Sequence, residues 1–342
     1  MAVFATFGEI MLRLSPPGKE LLFQTPRLEP FFGGGEANVA VSLAVLGHDV
    51  RYVSAVPAND IGEAALRELR KWGVDTRFVL RRGRRLGIYF AEPGANQRAS
   101  KVTYDREGSA ISEAKPGDFN WEGILAGAGW FHVTGITPAL SASAAALTLE
   151  AVKAARAMKV AVSVDLNFRA KLWTYGRSAP EVMREVAKHA DLVLGNEEDC
   201  QKALGLEAPA GPGSGRPSAG DFERLTDRVM AEYPNLARVA LTLRESRGAD
   251  DNGWSAVMRT RGRFLAGPSH DIRTIVDRMG AGDAFAAGLI HGLAALWPDE
   301  EALAFAVAAS CLKHSVPGDF NLVADKDIRA LMAGEASGRI RR

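Results

Sequence analysis

One pattern repeats along most of the chain: a short β-branched or apolar run, then a longer Ala- and Leu-rich segment. Arg51-Tyr52-Val53-Ser54-Ala55-Val56 precedes a helical pattern from about Ile61 to Lys71, and Trp130-Phe131-His132-Val133 precedes one from about Ser143 to Ala157. Val160 to Val164 leads to Ala179–His189, Asp191-Leu192-Val193-Leu194 leads to a helix opening near Glu197, and Arg238 to Thr242 is a further strand of the buried type. Strands read as continuous apolar runs, and separated by helices, predict a mostly parallel α/β sheet with helices on both faces.

A second pattern is superimposed on the first. Thr6–Leu14, Leu86–Ala91 and Lys101–Tyr104 look like half-exposed strands, with no long helix between the last two. They predict a small antiparallel sheet beside the main one, a lid drawn from about residues 8–31 and 86–106. Gly205–Gly220 is rich in Gly, Pro and Ala and reads as a mobile surface loop, because the alternation resumes after it. No internal repeat is visible, so residues 1–342 read as one domain. The tail Gly338–Arg342 reads as solvated.

Composition excludes several function classes. Lys and Arg number 42 against 41 Asp and Glu, a net charge of +1, which is no footprint for nucleic acid or an anionic membrane. The longest uncharged stretch, Gly123 to Leu149, is broken by His132, Pro138 and many small residues, so no membrane span is expected. Two cysteines, Cys200 and Cys311, make neither a disulfide framework nor a four-ligand zinc site. With no basic apolar leader, a cytoplasmic protein is expected. The six histidines show no metal-ligand spacing and read as structural or solvated.

The sharpest local signal is Asp277-Arg278-Met279-Gly280-Ala281-Gly282-Asp283-Ala284-Phe285. Small residues at Gly280, Ala281 and Gly282 open a helix of about 16 residues running to Trp297, and they let backbone N–H groups converge on one point. The positive end of the helix dipole makes that point an anion site. Asp283, in the first turn, is either a carboxylate paired with the helix start or a general base beside that site. Near the N-terminus, Gly33-Gly34-Gly35 lets backbone approach a ligand closely, and Asn38 in the first turn of the next helix is placed either to bond a sugar hydroxyl or to cap a tight turn.

Asp277-x-x-Gly280-Ala281-Gly282-Asp283, together with Phe32-Gly33-Gly34-Gly35-Glu36-Ala37-Asn38-Val39-Ala40 and Gly8-Glu9, resembles the ribokinase-like (PfkB-type) carbohydrate kinases over nearly the whole chain. The resemblance implies a ribokinase-like fold with a lid and a kinase that uses ATP and magnesium. It also allows potassium or a similar monovalent cation near Asp277, and it suggests a homo-oligomer, a dimer or higher. No Gly-x-x-x-x-Gly-Lys-Ser/Thr phosphate loop is present.

Within the family, Gly87-Ile88-Tyr89-Phe90, Tyr104-Asp105-Arg106, Asp165-Leu166-Asn167-Phe168-Arg169 and Lys313-His314-Ser315-Val316-Pro317-Gly318-Asp319 are similar to 2-keto-3-deoxygluconate kinases. That similarity implies a sugar-acid substrate. Its carboxylate would need Arg106 and Arg169, while Tyr89 and Tyr104 would stack on its carbon chain; Gly34, Gly35, Asn38 and Asp319 would complete the substrate site. Asn167, Asn196, Thr242 and Arg244, with Gly280 and Gly282, would lie along the nucleotide.

Asn196-Glu197-Glu198-Asp199 resembles the family's Asn-x-x-Glu element with Asp199 in the last place, so Glu198 and Asp199 are the candidates for indirect contact with magnesium. Thr242-Leu243-Arg244-Glu245-Ser246 stands where many members carry a Gly-x-x-Gly loop under the nucleotide. The expected reaction is phosphorylation of the 6-hydroxyl by ATP. The competing expectations are a kinase for 2-keto-3-deoxygalactonate, a kinase for a neutral sugar such as fructose or ribose, and a catalytically dead sugar-binding regulator.

Overall fold

The computed structural model describes residues 3–207 and 218–335. Most of the Gly/Pro-rich stretch and the arginine-containing tail lie outside the described residues. In chain order the elements are β1 (Val3–Phe7), β2 (Met11–Ser15), β3 (Glu29–Gly33), α1 (Gly35–Val45), β4 (Asp49–Val56), α2 (Asp60–Lys71), β5 (Val79–Arg81), β6 (Gly87–Glu92), β7 (Lys101–Asp105), α3 (Trp121–Leu125), β8 (Ala128–Thr134), α4 (Ala142–Ala157) and β9 (Ala161–Asp165). They continue with α5 (Ala179–Ala187), β10 (Leu192–Gly195), α6 (Glu197–Leu204), α7 (Ala219–Glu232), β11 (Arg238–Ser246), β12 (Asp251–Thr260), β13 (Phe264–Ala266), β14 (His270–Arg273), α8 (Ala281–Ala294), α9 (Asp299–Lys313) and α10 (Asp325–Met332).

The large sheet runs β13-β12-β11-β10-β9-β8-β1-β4-β5, with β14 also on β12. Every pairing from β11 to β5 is parallel, and the β12, β13 and β14 pairings are antiparallel. Successive side chains point to opposite faces, and both faces are apolar. On β10, Val193 joins one core with Phe7, Phe131 and Val162, whereas Leu192 and Leu194 join the other with Phe4, Tyr52 and Phe285. The Ala- and Gly-rich α8 is buried almost all round its length, against α1 on one side and α9 on the other. Among the described residues no helix is long and apolar enough to cross a membrane.

The second sheet has the order β3-β2-β6-β7 and forms the lid. Four expectations need correction. Thr6–Leu14 is two strands: Thr6 and Phe7 are fully buried in the middle of the large sheet, and Met11–Ser15 belongs to the lid. The break is at Gly8, whose N–H reaches Val53 and whose carbonyl accepts from the Tyr52 and Ser54 hydroxyls. The lid is mixed, because β2 and β6 come from distant crossings and pair parallel. Residues 242–246 continue β11 as strand paired with β12 and do not form a loop. The helix expected to reach Trp297 closes at Ala294, with Trp297 N–H returning to the Gly292 carbonyl.

This topology brings the carboxyl ends of β1, β8, β9 and β10 to one edge, where the starts of α1, α6 and α8 also lie. Clefts at that edge are where open parallel sheets bind ligands.

Candidate active site

The turn into α8 is built for an anion. Gly280 sits in the left-handed region (φ 78°), and a Cβ there would collide with the Asp319 carbonyl oxygen. Asp277 shapes the approach: its Oδ1 accepts from Met279 N–H (3.0 Å) and its Oδ2 from Gly318 N–H (3.0 Å). The amide of Ala281 retains a long bond to the Arg278 carbonyl (3.4 Å). Among the described residues the amides of Gly282 and Asp283 find no acceptor, as expected in a first helical turn. Gly282 is exposed, and a Cβ on it would meet nothing within 4 Å.

Asp283 faces the same opening. It is buried, and burial lifts its pKa to about 6, held down by a hydrogen bond from Asn38 Nδ2 to Oδ2 (2.7 Å). Asn38 is engaged at both ends of its amide, with Oδ1 accepting from Gly34 N–H (3.2 Å), so it orients the acid and the Gly34 turn, and its second Nδ2 hydrogen is left for another acceptor. Gly35 keeps space open in front of the carboxylate, since a Cβ there would lie 3.6 Å from Asp283 Oδ1.

Asp319 and Tyr89 also have inward partners. The Tyr89 hydroxyl donates to Asp319 Oδ1, and Arg13 Nη1 bonds Asp319 Oδ2 (2.9 Å) and Asp277 Oδ2 (2.8 Å). Tyr89, expected to stack on a substrate together with Tyr104, is only 4% exposed, whereas Tyr104 is 39% exposed. The two rings are 5.9 Å apart. Burial opposes the charge on Arg13, yet Asp319 and Asp277 more than offset it and raise its pKa. Arg13 thus ties the lid strand β2 to the loop before α8 and to the C-terminal segment. Sequence reading missed it, because one arginine on a strand carries no local signal.

Arg106 stands over the Tyr104 ring, its guanidinium 5.2 Å from the centroid, and is ion-paired with Glu9. The pair is buried, and among the described residues Arg106 Nε and Glu9 Oε1 have no hydrogen-bond partner. Arg169 is exposed, donates Nη1 to the Phe168 carbonyl (2.9 Å), and acts electrostatically on Asp283, Asp165 and Asp199.

Across the cleft, Asn167 adopts a left-handed φ of 34° with its Oδ1 buried and unpartnered. Such backbone strain persists only where surroundings enforce it, and it clusters at binding sites. Asp199 caps α6. Its Oδ2 accepts from Asn196 N–H (2.9 Å) and its Oδ1 from Phe168 N–H (2.8 Å), so its carboxylate is occupied by backbone rather than presented to a metal. Glu198 is exposed in the same turn.

Thr242 Oγ1 reaches the Gly195 carbonyl at 3.4 Å. Arg244 is exposed, and its charge acts on Arg278, which donates to the Ala249 carbonyl. Among the described residues no three His, Cys, Asp or Glu side chains are grouped to hold a metal alone. The exposed Glu198 carboxylate is an oxygen donor of the kind magnesium takes alongside phosphates and water.

Two more acids were overlooked. Glu36, inside the quoted glycine motif, is wholly buried; Thr134 N–H, Thr134 Oγ1 and Thr137 Oγ1 all donate to its Oε1. Burial raises its pKa to about 7. Asp165 rises to about 8 through burial and the nearby charges of Asp199 and Asp283. Of the histidines, His48 and His291 meet at 2.7 Å, a contact their spacing in sequence did not suggest.

The pfkB family carbohydrate kinase model matches residues 1–325. A 2-dehydro-3-deoxygluconokinase from Thermotoga maritima superposes with a TM-score of 0.91 at 44% identity, covering 98% of this chain and 100% of that one. A 2-dehydro-3-deoxygalactonokinase from Haloferax volcanii is 32% identical over 98% of both chains. A 2-dehydro-3-deoxygluconokinase from Bacillus subtilis is 27% identical over 92% of this chain and 90% of its own.

Proposed function

The chain belongs to the pfkB family of carbohydrate kinases, and on that premise we propose that it transfers the γ-phosphoryl group of ATP to the 6-hydroxyl of 2-keto-3-deoxygluconate (2-dehydro-3-deoxygluconate). The observation that carries this reading is the placing of a buried, oriented Asp283 beside the unpartnered amides at the start of α8. We read residues 1–342 as one kinase domain with its lid.

The Asp283 carboxylate accepts the hydroxyl proton as the hydroxyl oxygen bonds to the γ-phosphorus. The bond from that phosphorus to the β–γ bridging oxygen breaks, and ADP leaves. The amides of Gly282 and Asp283, with the helix dipole behind them, meet the charge on the transferred group; Gly280 and Ala281 set their direction. The substrate carboxylate is assigned to Arg106 and Arg169, whose forked geometry matches it, with Tyr104 beside the carbon chain and Gly35 leaving room for the hydroxyl end. Asn167, Asn196, Thr242 and Arg244 are assigned to the nucleotide. Glu198, ahead of Asp199, is the residue assigned to hold magnesium through water; the metal, when bound, would supply neutralisation of the ATP phosphate charge.

We place the reaction in the cytoplasm, where ATP is supplied and where the two free thiols, Cys200 and Cys311, suit a reducing medium. We also assign a homo-oligomer, because the outer edges of β3 and β7 pair with no other strand among the described residues. Light scattering checks it.

The similarity to the Haloferax volcanii enzyme favours a second reading, in which the epimer 2-keto-3-deoxygalactonate is the acceptor. ADP release measured with both sugar acids, fructose and ribose separates these. The expected result is kcat/KM on a sugar acid at least about 100-fold above that on fructose, because fructose leaves the buried Arg106 Nε without an acceptor. A neutral sugar in first place would sink the carboxylate reading. No ADP release with any acceptor would favour a sugar-binding regulator.

A further inference from the structure

The loop leading into α8 is wrapped around a buried ammonium. Lys313, the last residue of α9, has no exposed surface, and its Nζ donates to the carbonyl oxygens of Val316 (3.0 Å) and Asp277 (3.4 Å). A lysine is almost never fully buried unless paired. Burial lowers the pKa of Lys313, with the Arg13 guanidinium adding to that, while the carboxylates of Asp277, Asp319 and Asp283 act the other way and favour its charge.

The two carbonyls belong to segments already strapped together. Val276 N–H and Asp277 N–H both reach the His314 carbonyl (2.9 and 3.2 Å), and Gly318 N–H reaches Asp277 Oδ2. Asp277 lies three residues before Gly280, the turn that aims the first amides of α8. Lys313 therefore acts through the loop, at the point where its path is set.

Backbone carbonyls gathered near carboxylates are also what a monovalent cation such as potassium would bind, and the family resemblance allows one next to Asp277. The residues present do not fit it. Both carbonyls are taken by Nζ, and a further positive ion would stand against Lys313 and Arg13. We propose that Lys313 is a built-in cation: its ammonium positions the loop that aims the α8 amides, and the kinase needs no potassium or other monovalent ion.

The test uses the full chain in choline buffers with Tris salts of ATP and substrate, comparing choline chloride with potassium chloride at equal ionic strength. Wild-type kcat should differ by less than about twofold between the two, whereas coupled cation sites typically shift a linked step about 5–150-fold. Activation of the wild type about tenfold or more by potassium overturns the proposal.

Lys313→Ala, which opens room for an ion, should lose at least about tenfold in kcat in choline and regain most of it in potassium. Lys313→Met, which fills the space without charge, should lose activity and not regain it. Potassium should raise the melting temperature of Lys313→Ala alone, a readout that needs no substrate and so stands even if the sugar-acid reading fails. Full activity of Lys313→Ala in choline, or an equal loss in both salts, also overturns the proposal. If neither variant folds, the wild-type comparison decides.

Discussion

An aspartate in water is too weak a base for a sugar hydroxyl. At position 283 burial lifts its pKa to about 6, while the Asn38 amide keeps the rise small and fixes the carboxylate's direction. Asp283→Asn should lower kcat by about 10²- to 10⁴-fold, the span of general-base contributions, with KM for both substrates changed little; near-normal turnover would remove Asp283 from the mechanism. The pH dependence follows with its sign. The base works ionised, so kcat/KM should rise through about pH 6 with unit slope and then level off. Asn38 bonds the charged form, so its loss favours the proton. In Asn38→Leu the midpoint should move to higher pH, and a fixed or lowered midpoint would contradict the orienting role.

The start of α8 separates two kinds of glycine. Gly280 needs its left-handed backbone and has the Asp319 carbonyl where a Cβ would stand. Gly282 has open space there, in the path the phosphoryl group would take. Gly280→Ala should therefore lower Tm and kcat together. Gly282→Ala, which trades a poor helix former for the best, should keep or raise Tm yet still cost at least about tenfold in kcat, the loss of roughly 1.4 kcal/mol of transition-state stabilisation. Thermal melts paired with initial rates check both. If Gly282→Ala keeps full activity, the phosphoryl group does not pass there.

In the molecule as a whole, the lid is held to the body by charge as well as by chain. Arg13 reaches Asp277 and Asp319, and Lys19 Nζ reaches the Ile275 carbonyl (3.3 Å). Carboxylates buried in the body tie stability to pH. Glu36 and Asp165 have folded pKa values of about 7 and about 8, above their ordinary values of 4.5 and 3.8. Their stabilising share is complete below the unfolded values and is lost as pH rises through the folded ones. His291 and His314 run the other way. Burial lowers both to about 4, so their share is present above 6.5 and lost as pH falls toward 4. The ligand-free protein should therefore lose Tm as pH rises from about 6.5 to 9, and Glu36→Gln should flatten the slope. A Tm that climbs over that interval would contradict the buried-acid assignment.

The sequence by itself determined the parallel α/β frame, the lid segments and the two glycine motifs, because these rest on local periodicity and on backbone freedom that neighbouring residues carry between them. It also singled out Asp283, since a carboxylate just inside a glycine-opened helix is a local pattern. Only the tertiary structure decided the partners. Asn38 bonds Asp283, Tyr89 and Asp319 bond each other and Arg13, and Asp199 bonds backbone amides. Arg13, Glu36 and Lys313 emerged as buried ionisable groups whose partners lie up to 306 positions away. A hydrogen bond or an ion pair joins groups that are close in space, and nothing in the spacing of residues along a strand or helix records which distant group the fold will deliver.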